Sequence, residues 1–244
     1  MKAFPLLLEK AYAIFDLGRV ADLLEWDKEV NMPPGGIEGR SQQLTTIRKM
    51  RHELFVSNEM GDLITKSEEE VKNLAPSAFE SNLVNCLKES YLKTKKLTTD
   101  YVVRENNLSA NSKFAWITAR KENNFNKFLP YLKEIIQLYQ EKAELYGYED
   151  HPYDALIDNF DTGAKTKEVI VLFDTLKKDL VSLIDKIKGS KKNIDDKFLF
   201  QNYPLQQQRD FAVYASKSIG YDYQRGHLAT VVHPFCINFG KDDV

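Results

Sequence analysis

Four histidines, His52, His151, His227 and His233, are the residues of this chain best suited to metal or proton chemistry. A catalytic zinc site needs about three protein ligands converging on one point. No two of the four stand four residues apart, the spacing that presents two imidazoles on one helical face. On an extended strand, His227 and His233 would lie roughly 20 Å apart, too far to share an ion. The sequence therefore predicts no complete zinc site within these residues. Cys86 and Cys236 are far apart and make neither a metal spacing nor a disulfide framework.

Other polar residues each have two readings. Asp27 and Glu29 could form a catalytic acid pair, but two residues apart on a helix they point to different faces. Capping or packing near the following break is the competing role. Arg120 could clamp a carboxylate with its planar fork or join two helices by a salt bridge. Trp26 and Met32 suit a core as well as a substrate contact.

The elements that must hold these residues are mostly helices. Leu7, Leu8, Ala11, Ile14, Phe15, Leu17 and Ala21 recur at helical spacing and lead into Leu23–Asp27. Pro33-Pro34-Gly35-Gly36 forces a break. A second helix is expected from about Ile37, carrying Leu44, Ile47, Met50, Leu54 and Phe55. Ser67-Glu68-Glu69-Glu70 reads as the start of a short helix, and Ser77 as an N-cap. From Ala78 onward Leu83, Cys86, Leu87, Leu97 and Tyr101 fit one long helix, about 60 Å if it ran forty-odd residues. Further helices are expected over about Phe125–Tyr146, stopped by Gly147, over Thr166–Ile187, and over Leu205–Ile219. In the Thr166–Ile187 helix, Val169, Leu172, Phe173, Leu176, Leu180, Leu183 and Ile184 should face inward. The run Gly226–Phe239 is rich in β-branched and aromatic residues and reads as the first arm of a β-hairpin, with Gly240–Asp243 as its turn. The fold expected is mainly α, with a short β segment at the C-terminal end. An unfinished hairpin leaves backbone groups unpaired, so the sequence is expected to be the N-terminal part of a longer protein.

Composition narrows the function classes. Thirty-four basic residues stand against 36 acidic ones, a formal net charge of −2, and no basic stripe forms. Nucleic acid is therefore not an expected partner. No stretch approaches the roughly 18 apolar residues of a membrane span, and the N-terminal apolar run, interrupted at Glu9, is too short for a signal peptide. A cytoplasmic location is expected.

Five motifs in order carry a resemblance. Trp26-Asp27-Lys28-Glu29, Met32-Pro33-Pro34-Gly35-Gly36, Arg40, Leu44 and His52-Glu53 resemble the N-terminal signature of the carboxypeptidase Taq family, the M32 zinc metallocarboxypeptidases. Trp116–Arg120, with Phe125, Phe128, Pro130 and Leu132, is similar to that family's central helices. Tyr153–Asp158 with Gly163 is similar to its next block. Gly226–Phe235 resembles the segment ending in His-Pro-Phe, here His233-Pro234-Phe235, and Asp243-Val244 opens its Asp-x-Arg-x-Thr motif. His227 stands where the family usually has Arg, and Ala229 where it commonly has Asp.

The resemblance implies long antiparallel helices around a deep groove, a homodimer, and release of single residues from peptide C-termini. It implies zinc, or another divalent metal, held by an H-E-x-x-H motif and a downstream glutamate, none of which lies within residues 1–244. Those residues would be the N-terminal part of one peptidase domain, inactive alone and binding no catalytic zinc, with no catalytic or metal-ligating residue among them. His233 is the candidate substrate-binding residue, because the resemblance places it beside the groove; packing is the alternative. A rival reading from another class is a helical binding or scaffold module without catalysis. A truncated product that regulates its full-length relative fits the sequence equally.

Overall fold

The computed structural model describes residues 2–190, 192, 194–231 and 234–244. Among them are nine α-helices. They fall into two units, Met1–Gly147 with Ala229–Val244, and Tyr148–Leu228.

In the first unit, helix α1 (Ala3–Val30) carries Phe4, Leu7, Ala11 and Ile14 at intervals of three and four, so all four share a face. That face meets Met60, Ile64 and Val71 of α3 (Asn58–Val71) and Val84, Leu87 and Tyr91 of α4 (Phe79–Thr94). Leu7, Met60 and Val84 are wholly buried there. The approach of α3 and α4 depends on a missing side chain. A methyl group built on Gly61 would lie 2.5 Å from the Tyr91 hydroxyl oxygen.

The start of α1 is closed from another helix. Glu70, near the end of α3, accepts from the backbone N–H groups of Lys2 at 2.7 Å, Ala3 at 2.9 Å and Phe4 at 3.1 Å. These donors have no partner inside their own helix, and a carboxylate is favoured at that positive end. The Ala3 and Lys2 donors, aided by Phe4, pull the Glu70 carboxyl from 4.5 to about 2.

After the break at Met32–Gly36, α2 (Ile37–Phe55) returns antiparallel to α1. Helix α5 (Thr99–Lys121) packs on α2, and α6 (Leu129–Tyr146) packs on α5. A second core gathers Leu97, Tyr101 and Leu138. The buried Tyr101 hydroxyl donates to the Leu138 carbonyl at 3.0 Å. Helix α6 ends at Gly147, whose φ of +74° suits a residue without Cβ.

Three boundaries differ from those read in the sequence. The long helix from Ala78 is two helices, because the Thr98 hydroxyl accepts from Tyr101 N–H and starts α5 afresh. Ser67–Glu70 ends a helix rather than starting one; α3 begins where the Ser57 hydroxyl accepts from Met60 N–H. Ala78, not Ser77, is the boundary residue of α4.

In the second unit, α7 (Pro152–Ile157) precedes α8 (Thr166–Gly189) and α9 (Leu205–Ser218). The buried Asp154 carboxylate accepts from Thr166 N–H at 2.7 Å and so fixes the start of α8. Asp158 accepts from Gly163 N–H at 2.9 Å, closing the turn between them. The apolar stripe expected to face inward along α8 is exposed instead, with Leu176 at 52 % and Leu180 at 48 %. The helical period is right, but none of its residues is buried by the described chain.

The C-terminal β segment is also reduced. Among the described residues of 225–244 no strand forms, and Gly240 and Asp243 make one antiparallel bridge. The turn itself is present, closed by Phe239 N–H donating to the Asp243 carbonyl at 2.8 Å. A strand needs a backbone partner along its length, and the described residues supply none here. The segment is tied instead by Arg19 donating to the Asn238 carbonyl at 2.7 Å and by Trp26 meeting Phe239 edge-on.

Gly61→Ala should destabilise the chain in urea denaturation, because overpacking costs about 1–3 kcal/mol and the gain in helix propensity is about 1 kcal/mol. For Glu70, the folded carboxyl ionises more readily than the unfolded one. Its stabilisation is therefore complete above pH 4.5 and lost as pH falls towards 2. Glu70→Gln should lower the melting temperature at pH 7, and the gap to the parent should close as both are acidified through that window.

Candidate functional site

The Trp26–Glu29 block and its partners form an ionic girdle across α1, α2 and α5. Arg40 reaches Asp27 at 2.6 Å and donates to the Leu24 carbonyl at 2.9 Å. Arg48 joins Glu25 at 3.3 Å and Asn106 at 3.0 Å, and Lys113 of α5 meets Glu29 at 2.5 Å. The Arg40 guanidinium holds the Asp27 carboxyl below the usual carboxylate range. Asp27 and Glu29 are thus struts with separate partners, and the acid-pair reading has no geometric support. Trp26 is half-buried against Phe239, and Met32 folds over Gly36. Arg120 is exposed and stacks on Trp116, 5.3 Å from the ring centroid; no ion pair of Arg120 is present among the described residues.

The histidines are divided between the two units, His52 in the first and His151 in the second. His151 accepts from Tyr153 N–H at 3.1 Å through Nδ1 and caps α7. His227 lies in the second unit, and His233 lies outside the described residues. Among the described residues no three His, Cys, Asp or Glu side chains are grouped to hold a metal ion. The donor set among the described residues does not fit zinc.

His52 is the residue whose environment the sequence reading did not foresee. It is 7 % exposed, and its Nε2 has no hydrogen-bond partner among the described residues. Desolvation lowers its pKa from 6.5, opposed by a backbone hydrogen bond to Leu97 and by the Glu53 charge. Burial thus disfavours the protonated imidazole, and Nε2 is sealed from solvent. It lines a cavity of about 510 Å³ between α1, α2, α4 and α5. Ile14, Phe15, Phe55, Leu83, Leu87 and Val102 make its apolar wall; Arg48, Arg51, Glu105 and Asn106 supply the polar groups. A second groove, about 460 Å³, lies between α5 and α6. Its Arg104 and Glu141 neutralise each other through bonds of 3.0 and 2.6 Å.

The family model of the Carboxypeptidase Taq (M32) metallopeptidases matches residues 7–244. The chain belongs to this family. It is 30 % identical over 251 residues to thermostable carboxypeptidase 1 of Thermus thermophilus, covering 99 % of this chain and 49 % of that protein. It is 28 % identical over 226 residues to carboxypeptidase 1 of Bacillus subtilis, covering 91 % of this chain and 44 % of that one. The crystal structure of a protein designated BsuCP superposes with a TM-score of 0.94 at 26 % identity, over 100 % of this chain and 48 % of that one. The chain spans about half the length of the curated relatives it matches. The mainly helical M32 fold expected from the motifs is the fold observed. No helix among the described residues is long and apolar enough to cross a membrane.

Because the folded His52 binds its proton less readily than the unfolded chain, it favours the fold above its ordinary pKa and opposes it as pH falls below 6.5. The His52 ring resonances in a proton NMR titration should move with a midpoint below 6.5. A midpoint at or above 6.5 would show that the ring is solvated.

Proposed function

We propose that the polypeptide carrying these residues is a metal-dependent carboxypeptidase that releases amino acids from peptide C-termini. The observation that carries the reading is the family match over residues 7–244. The family is one of metallocarboxypeptidases, so a divalent metal, zinc in this reading, would polarise the scissile carbonyl and activate water. Among the described residues no group of donors fits that metal. In this reading residues 1–244 are the N-terminal part of a single peptidase domain and form a wall of its cleft, with the metal ligands supplied from outside them. His233 would contact the substrate at that wall.

The exposed apolar stripe of α8 supports the same reading, since a soluble domain rarely leaves so long an apolar face open. By family resemblance the working enzyme would be a cytoplasmic homodimer acting on peptides. The girdle of Asp27–Arg40, Glu25–Arg48 and Glu29–Lys113 would keep the wall's helices in register.

The test is amino-acid release from N-blocked peptides with zinc added to metal-stripped protein. Residues 1–244 alone should release nothing, while a longer polypeptide containing the H-E-x-x-H motif should show metal-restored turnover. Metal-dependent release by residues 1–244, or none by the longer polypeptide, would contradict the proposal.

A further inference from the structure

The ionic girdle across α1, α2 and α5 carries one more cation than its carboxylates can match. Arg48 and Lys28 both pair with Glu25, and Lys28 and Lys113 both reach Glu29, at 3.9 and 2.5 Å. Three cations therefore share two carboxylates. Asp27 does not make up the difference, because Arg40 already occupies it at 2.6 Å. The middle of this row is withdrawn from water: the side chain of Lys28 is only 8 % exposed and that of Glu29 20 %.

The three cations meet at a cavity. A space of about 60 Å³ lies between the helices, and its lining includes Lys28, Arg48 and Lys113 but only one acid, Glu25. Glu29 holds Lys28 and Lys113 from outside that lining. The Ser41 hydroxyl also faces the space and makes no hydrogen bond with any described residue. The wall is thus rich in N–H and O–H donors, and its single carboxylate is already shared by two cations. A water molecule's share of liquid volume is about 30 Å³, so the cavity takes about two particles of that size. An organic acid would not fit, and a divalent anion would overcompensate one charge. Water alone would fill the space and leave the third cation unmatched.

We propose that this cavity binds a single halide ion, chloride in a chloride-containing medium, held by Lys28, Arg48, Lys113 and the Ser41 hydroxyl with one water beside it. Charge-assisted bonds from N–H donors to an anion are stronger than neutral ones, and a low local dielectric strengthens them further. The ion balances the girdle and couples the hold of α1 on α2 and α5 to halide concentration. The proposal stands apart from the carboxypeptidase reading, because it concerns the first unit alone and needs neither metal nor substrate.

The test is chloride NMR line broadening by the 244-residue chain at pH 7.5, with thermal melts in sodium chloride and sodium gluconate at equal ionic strength. Gluconate screens charge equally but is too large for the cavity. The parent should broaden the chloride signal, and bromide should reverse the broadening. Its melting temperature should rise with chloride along a binding curve. Lys113→Gln removes the surplus charge and should abolish the reversible broadening and the chloride-specific part of the melting shift. Glu29→Gln adds one net positive charge without altering the lining and should tighten chloride several-fold. Both variants break the same Lys113–Glu29 pair, so opposite effects on chloride distinguish a bound ion from a lost salt bridge. If Lys113→Gln fails to fold, bromide displacement in the parent and Glu29→Gln remain decisive. No broadening by the parent, broadening unchanged in Lys113→Gln (an adventitious ion only), or weaker chloride binding in Glu29→Gln would each overturn the proposal.

Discussion

Helix α1 has to serve two partners at once, and the first unit depends on how it does so. Its first half turns Phe4, Leu7, Ala11 and Ile14 into the core shared with α3 and α4. Its second half uses charge instead, setting Glu25, Asp27 and Glu29 against Arg48, Arg40 and Lys113 of α2 and α5. The change of character along one helix is a physical necessity. The apolar half meets helices that bury it, while the half-buried second half is held to its neighbours by paired charges. These half-buried pairs fix the register of the three helices. Glu70 then closes the open end of α1 from α3, so α3 stabilises the start of the helix.

The cavity around His52 follows from this arrangement. Ile14 and Phe15 come from α1, His52 from α2, Leu87 from α4 and Val102 from α5. At the place where α1 gives up apolar packing, the facing helices no longer close on it, and a space remains. Arg51 lies against α1 beside Gly18, where a Cβ would make ordinary contact with its guanidinium. A solvated arginine and a dry imidazole are thereby brought to one cavity.

Much of the helical layout was legible from period and punctuation. Leu7, Ala11 and Ile14 announced α1, Pro33–Gly36 its end, and Gly147 the end of α6. The break before α5 was legible too, in Thr98 followed by Asp100 at the first turn, a capping signal overlooked because the apolar period continues across it. What periodicity cannot report is what covers a stripe. Leu176 and Leu180 of α8 have the spacing of a core face and stand exposed. The β character of Gly226–Phe239 likewise describes a preference, which becomes a strand only beside a partner. His52 was read as a signature residue, but its burial and unpaired Nε2 depend on Leu97 and on helices far along the chain. The motifs carried the family more securely than any single residue carried a role, because five blocks in order constrain the whole path of the backbone.

Native-state hydrogen exchange tests the dependence on α1 most directly. If α1 is the shared element, the amides of Leu7, Ala11 and Ile14 should exchange with the same opening free energy as those of Met60, Ile64 and Val84, as one cooperative unit. Rapid exchange along the first half of α1 while α3 and α4 stay protected would contradict the account.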